Sequence, residues 1–126
     1  MLLPQGPWYP IADDESMRLA ALRRLDLLNK PPNERFDRIT ALARDLFGVS
    51  HAAVTLIGDH ESHFISAAGA AGVGIAQRKV NMCAWIVDPN QGTEVMVVPD
   101  ASQDQRFSSF PVVTGEHRRP GPLVCE

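Results

Sequence analysis

An α+β fold, with a central antiparallel sheet and the opening helices on one of its faces, is what these 126 residues predict. Three observations carry this. Apolar residues recur at helical spacing through residues 13–28 and again through 34–48. At residue 51 the pattern switches to short runs of β-branched and small apolar residues, two of them separated by "DHES". A further apolar run, "NMCAWIV", and then "EVMVVPD" complete an order of helix, helix, hairpin, helix, strand.

Residues 1–12 hold three prolines and no periodicity, and read as an arm. The first helix, "DDESMRLAALRRLDLL", opens on acidic residues that suit the positive end of a helix dipole. Met17, Ala21, Leu25 and Leu28 fall on one face of it. "NKPPN" ends it, and Asn33 is placed to cap the next helix. In "ERFDRITALARDLFG", Phe36, Ile39, Thr40, Ala43, Leu46 and Phe47 keep i, i+3, i+4, i+7 spacing, and Gly48 stands where a C′ glycine belongs. "HAAVTLIG" (51–58) and "HFISAAG" (63–69) read as a hairpin. Residues 69–79 read as a glycine- and alanine-rich loop. "NMCAWIV" has the length of about two helical turns, ended by Asp88-Pro89. "EVMVVPD" (94–100) is a third strand, and "SQDQRFSS" a short helix or turn. In the tail, Pro120 and Pro122 leave room for a fragmentary strand only.

Composition narrows the function. With 44% hydrophobic and 21% charged residues the chain can bury one core. A net charge of −3 argues against a dedicated nucleic-acid binder, and His117-Arg118-Arg119 is too small a basic cluster to alter that. No run reaches the ~18 apolar residues that span a bilayer, and the start lacks the pattern of a signal peptide. The expectation is a cytosolic protein without membrane or nucleic-acid partners, whose Cys83 and Cys125 are reduced. There is no CxxC, and no cofactor is called for.

Several residues could carry chemistry. Cys83 lies near the start of a short helix, with Arg78 and Lys79 upstream, which could lower a thiol pKa. The plainer reading is a small hydrophobe in a core or pocket wall, and it weighs more. "DHESH" places His60 and His63 among Asp59 and Glu61, but on a hairpin turn and without the HExxH spacing, so a solvated turn explains it better than a metal site. Asp100 and Arg106 are six apart around a turn, either a polar pair at a pocket mouth or the capping and ion pairing that order the turn. Phe64, Met82 and Trp85 suit a pocket lining or a core equally. Gly69, Gly72 and Gly74 do not form a phosphate-binding GxGxxG.

Taken together, "RLAALRRLDLLNKPPNERFDRITALARDLFGV", "AAVTLIGDHESHF", "NMCAWIV" and "MVVPDASQDQRFSSFPVVTG" resemble a GAF domain, of the sensor type found with diguanylate cyclases and histidine kinases. The resemblance covers residues 15 to about 115. It implies a central antiparallel sheet with the terminal helices on one face and a ligand pocket on the other. It places Cys83 and Trp85 on a short helix walling that pocket. Asp100, Arg106 and Phe107 follow the third strand. After "VTG" the family continues into an aromatic strand, a glycine turn, another strand and a closing helix, where this chain has "EHRRPGPLVCE". Residues 13–126 therefore resemble a GAF domain lacking its C-terminal strand and helix, with a sheet that needs a partner chain or an exchanged segment to complete it.

The resemblance implies a non-catalytic sensor of an unidentified small molecule, with Phe64, Met82, Cys83, Trp85, Asp100 and Arg106 at the ligand and no metal. The partner would be a second copy of the chain or another signalling protein. Two alternatives stand beside it. A related branch reduces free methionine sulfoxide with cysteines, here Cys83 and Cys125, but the supporting glycine–cysteine motif is missing. A dimerisation module that has lost its ligand is the other.

Overall fold

A computed structural model describes residues 9–69, 74–88, 95–115 and 123–125, the last three by backbone alone. The first eight residues of the expected arm, residues 70–73 of the expected glycine-rich loop and residues 116–122 of the tail lie outside the described residues. The fold is α+β, as expected. The chain divides into two compact units, one of Asp14–Arg78 and one built on the residues from Lys79 onward with those up to Asp13.

The first unit begins with α1 (Glu15–Leu25), which ends at Asp26 in the left-handed conformation, φ 51°. The face expected to pack inward does not do so. Met17 and Leu25 are 73% and 59% exposed, and Leu22 is the buried residue of the helix. The reason lies at Glu15, Arg18 and Leu22, which share a face at i, i+3 and i+7. Glu15 binds Arg18 at 2.7 Å and also binds Arg78. Arg18 in turn donates to the carbonyls of Ile57 (2.5 Å) and Gly58 (3.4 Å). An ionic cluster, not the apolar ladder, selects the inward face.

Helix α2 (Glu34–Phe47) is capped as its sequence predicts. Asn33 accepts the Arg35 N–H at 2.9 Å, and Gly48 takes a positive φ of 61°. It packs against β1 (Ala52–Ile57) and β2 (Glu61–Ala68). Again a polar set makes the junction: Thr40 Oγ1 lies 2.9 Å from Ser66 Oγ, which donates to Asp37 Oδ1 at 2.6 Å. Ile39, Leu42, Leu46 and Phe47 remain 56–74% exposed, so much of the expected apolar face stays outside.

β1 and β2 form the expected antiparallel hairpin, with a register shift between Val54 and Thr55. Gly69, at the end of β2, has φ 93°, and a Cβ there would meet the Ser50 carbonyl oxygen at 2.2 Å, so the position is closed to other residues.

Two strand assignments change. Residues 74–77, expected as loop, form β3 (Gly74–Gln77), which pairs with β2 and makes a three-stranded sheet in the order β1-β2-β3. Pairing uses backbone groups that glycine and alanine possess like any residue, so a composition poor in β-formers did not reveal it. The expected third strand is β4 (Met96–Val98), and it pairs with β5 (Leu123–Cys125) in a separate two-stranded sheet. β5 starts directly after Pro122, consistent with the prolines limiting it. Among the described residues no fourth strand lies beside β1, and the three-stranded sheet is open.

The second unit closes around Met82, Met96, Val98, Ala101, Phe107 and Val113, with Trp85, Ile86, Phe110 and Val112 packed against them. The last helix, α3 (Pro111–Thr114), contributes Val113. Among the described residues no helix is long and apolar enough to cross a membrane.

Candidate functional site

"NMCAWIV" folds as a 3₁₀ turn over Met82–Trp85 rather than two turns of α-helix. Asn81 caps it, its Oδ1 accepting the Cys83 N–H at 2.9 Å. That cap drives Met82 and Ala84 into the core and leaves Cys83 and Trp85 half-buried. Trp85 stands edge-on to Phe107, with ring centroids 5.8 Å apart and planes at 88°. Phe107 meets Phe110 in the same manner at 5.5 Å.

Arg106 crosses this aromatic group. Its guanidinium carbon is 4.6 Å from the Phe107 ring centre and 5.8 Å from that of Trp85, within cation–π range. Asp104 holds it there through two bonds, Nε to Oδ1 at 3.0 Å and Nη2 to Oδ2 at 2.7 Å. Nη1 reaches the Met96 sulfur at 3.8 Å. The arginine hydrogen bond lowers the pKa of Asp104, and the aspartate raises that of Arg106. The ion pair that orders this turn is therefore Arg106 with Asp104. Asp100 instead caps the 3₁₀ turn Ala101–Gln103, accepting from the Ser102 N–H at 2.9 Å and the Ser102 hydroxyl at 2.6 Å.

Of the six residues expected at a ligand, Met82, Trp85 and Arg106 thus gather around Phe107. Cys83 adjoins them in the chain, Asp100 orders the turn that leads to Arg106, and Phe64 sits on β2 in the other unit. The thiol of Cys125 lies outside the described side chains. Sequence reasoning missed Asn81 and Asp104. A signal existed for both, since Asn81 precedes the run as a cap residue should, and Asp104 is nearer to Arg106 than Asp100 is.

Among the described residues two buried polar atoms of this segment have no hydrogen-bond partner, Trp85 Nε1 and Asn81 Nδ2. Both are donors. Buried donors are normally satisfied, and an unmet one costs about 1–3 kcal/mol.

In the first unit, "DHESH" forms the β1–β2 turn. His60 is exposed and 3.4 Å from Asp59, while His63 is buried and 3.6 Å from Glu61. Among the described residues no group of three or more histidines, cysteines or carboxylates is arranged to hold a metal. A cleft of ≈ 360 Å³ lies beside this turn. None of the six residues lines it, so the cavity and the aromatic cluster are separate features.

No family model matches the chain. It is similar to a cyclic di-GMP phosphodiesterase of Pseudomonas aeruginosa, with 32% identity over 112 residues, or 89% of the chain. Those residues amount to 18% of the relative's length, so the likeness is to one segment of a much longer signalling protein.

Proposed function

We propose that the chain is a non-catalytic, GAF-type sensing segment of a signalling protein, which binds a small molecule at the Trp85–Phe107–Arg106 cluster. The observation that carries this is the pair of buried donors, Trp85 Nε1 and Asn81 Nδ2, that find no acceptor among the described residues, in the segment where a cation lies over two aromatic rings. The ligand class that fits is a flat or anionic molecule with acceptor atoms: rings stack, the guanidinium binds charge, and the donors read acceptors. Met82, Cys83 and Asp100 shape and order this surface. The similarity to a fraction of a cyclic di-GMP phosphodiesterase supports a regulatory segment rather than a whole enzyme. Signalling would follow by population shift, the ligand favouring the packing that it binds best.

Native mass spectrometry of the purified protein tests this, followed by tryptophan fluorescence titration with cyclic di-GMP and other nucleotides. A bound mass, or saturable quenching lost in Trp85→Phe and Arg106→Gln, is expected. Neither, in a folded protein, would overturn the reading. Hydrolysis of cyclic di-GMP by the chain alone would overturn its non-catalytic part.

A second reading, association with another copy of the chain, is favoured by the exposed Ile39, Leu42, Leu46 and Phe47 on α2. Light scattering of the wild type and of Leu42→Glu tests it. A dimer that the variant converts to monomer supports it, and a wild-type monomer at all concentrations removes it.

A further inference from the structure

The cleft in the first unit has a built character that the sensing proposal does not use. Its walls come from two elements. Leu19, Leu22, Arg23 and Leu28 come from α1 and the residues after it, and Gly58, Asp59, His60, Glu61 and His63 come from the β1–β2 turn and the start of β2. The turn is held in place before any ligand arrives. Arg78, fully buried, donates to the carbonyls of Gly58 (3.1 Å) and Asp59 (3.3 Å), Arg18 donates to those of Ile57 and Gly58, and the Gly58 N–H reaches the Glu61 carbonyl at 2.7 Å. A wall fixed in this way loses little entropy when it binds.

The chemistry of the lining is threefold. Three leucines provide an aliphatic surface. On the helix wall, the Arg23 side chain makes no hydrogen bond or ion pair among the described residues. On the turn wall, Asp59 and Glu61 present carboxylates that are 66% and 59% exposed and approach His60 and His63 at 3.4 Å and 3.6 Å. Although one guanidinium and two carboxylates line the same cleft, none of these carboxylates comes within ion-pair distance of Arg23. A cleft lined by a guanidinium, two carboxylates and three leucines matches a molecule that carries both signs and an apolar branch.

We propose that this cleft binds a free α-amino acid with a branched aliphatic side chain. Its carboxylate pairs with Arg23, its ammonium with Asp59 and Glu61, and its side chain covers Leu19, Leu22 and Leu28. Both charges of the ligand are met, so neither is desolvated without a partner. A volume of ≈ 360 Å³ lies at the small end of ligand sites and suits a molecule of this size. The site belongs entirely to residues 14–78 and stands whether or not the aromatic cluster binds a ligand.

The test is a two-dimensional NMR titration of the full chain with L-leucine. Isoamylamine, 4-methylpentanoate and glycine serve as probes that lack the carboxylate, the ammonium and the side chain. L-Leucine is expected to give saturable shifts at Leu19, Leu22, Gly58 and His60, with each truncated probe weaker by roughly ten-fold or more. Arg23→Gln, at an exposed position, should weaken L-leucine to the level of isoamylamine without altering the circular dichroism spectrum. Asp59→Asn with Glu61→Gln should weaken it to the level of 4-methylpentanoate. Absence of saturable shifts up to roughly 10 mM overturns the proposal. So does equal binding of wild type and Arg23→Gln, or of leucine and its truncated analogues. Shifts confined to residues 79–115 would overturn it while leaving the proposed sensing cluster supported.

Discussion

The two units of this chain are held together by different physics. In residues 14–78 the helices dock through polar groups: Glu15 and Arg18 with buried Arg78 on one side, Thr40 and Asp37 with Ser66 on the other. Large apolar side chains of the same helices, among them Met17, Leu42 and Leu46, remain in solvent. In residues 79–115 the order is reversed. Phe107, Val98 and Met96 are buried together, and the ion pair of Arg106 with Asp104 lies at the edge. Directional bonds fix which residues meet, but each is worth little net and costs much when half broken. Apolar burial supplies more free energy and less direction. The first unit is specified more than it is glued, and the second is glued more than it is specified.

The largest effect should come from breaking the ionic cluster on one side. Arg78→Met leaves Glu15 short of a partner and the Gly58 and Asp59 carbonyls without their donor, and should cost about 3–5 kcal/mol in urea unfolding. The double variant Glu15→Met with Arg78→Met should recover part of that loss, because Glu15 is no longer left short of a partner, while Arg18 loses its carboxylate. A double variant no more stable than Arg78→Met would mean the first unit is not organised by this pair.

Phe107→Ala probes the other unit, with an expected loss of about 3–5 kcal/mol from lost burial and a residual cavity. It should abolish the Trp85 ring contact, read as a change in near-ultraviolet circular dichroism. Partial rescue by Phe107→Leu is expected, since the loss is one of volume. A loss below that of an exposed substitution would show that this cluster is not the core of its unit.

Ser66→Ala removes the hydroxyl that links Thr40 to Asp37 and should cost about 1–3 kcal/mol, with hydrogen exchange accelerating in α2 and β2. An unchanged protection pattern would count against the polar docking of α2.

Acid should separate the units more gently. The hydrogen bond from Arg18 lowers the Glu15 pKa from 4.5 to about 2, with Arg78 adding to it against the opposing cost of burial. A depressed folded-state value means that the stabilisation is complete above the unfolded value and disappears as the pH falls toward 2. Stability measured between pH 5 and pH 2 should therefore fall in the wild type, and fall less steeply in Glu15→Gln. Parallel slopes would refute this assignment.

Much of the fold was legible in local sequence. The Asn33 cap, the Gly48 terminus and the hairpin across "DHES" each depend on residues within a few positions of one another. The aromatic cluster was partly legible, because Met82, Trp85 and Arg106 carry recognisable chemistry. Its unmet donors were not, since burial without a partner is a property of the surroundings. The cleft left no trace in the sequence: Leu28 and His63 are far apart in the chain, and only the packing of α1 brings them to one cavity.

The sequence by itself determined the α+β class, the caps and turns, and the order of helices before hairpin. These follow from backbone conformation and local hydrogen bonding, which a few neighbouring residues decide. The tertiary structure alone decided which face of each helix turns inward, that β4 pairs with β5 instead of joining the main sheet, and that Gly74–Gln77 is a strand. Each rests on contacts between residues distant in the chain, such as Glu15 with Arg78, whose free energy exists only once the chain has closed around them.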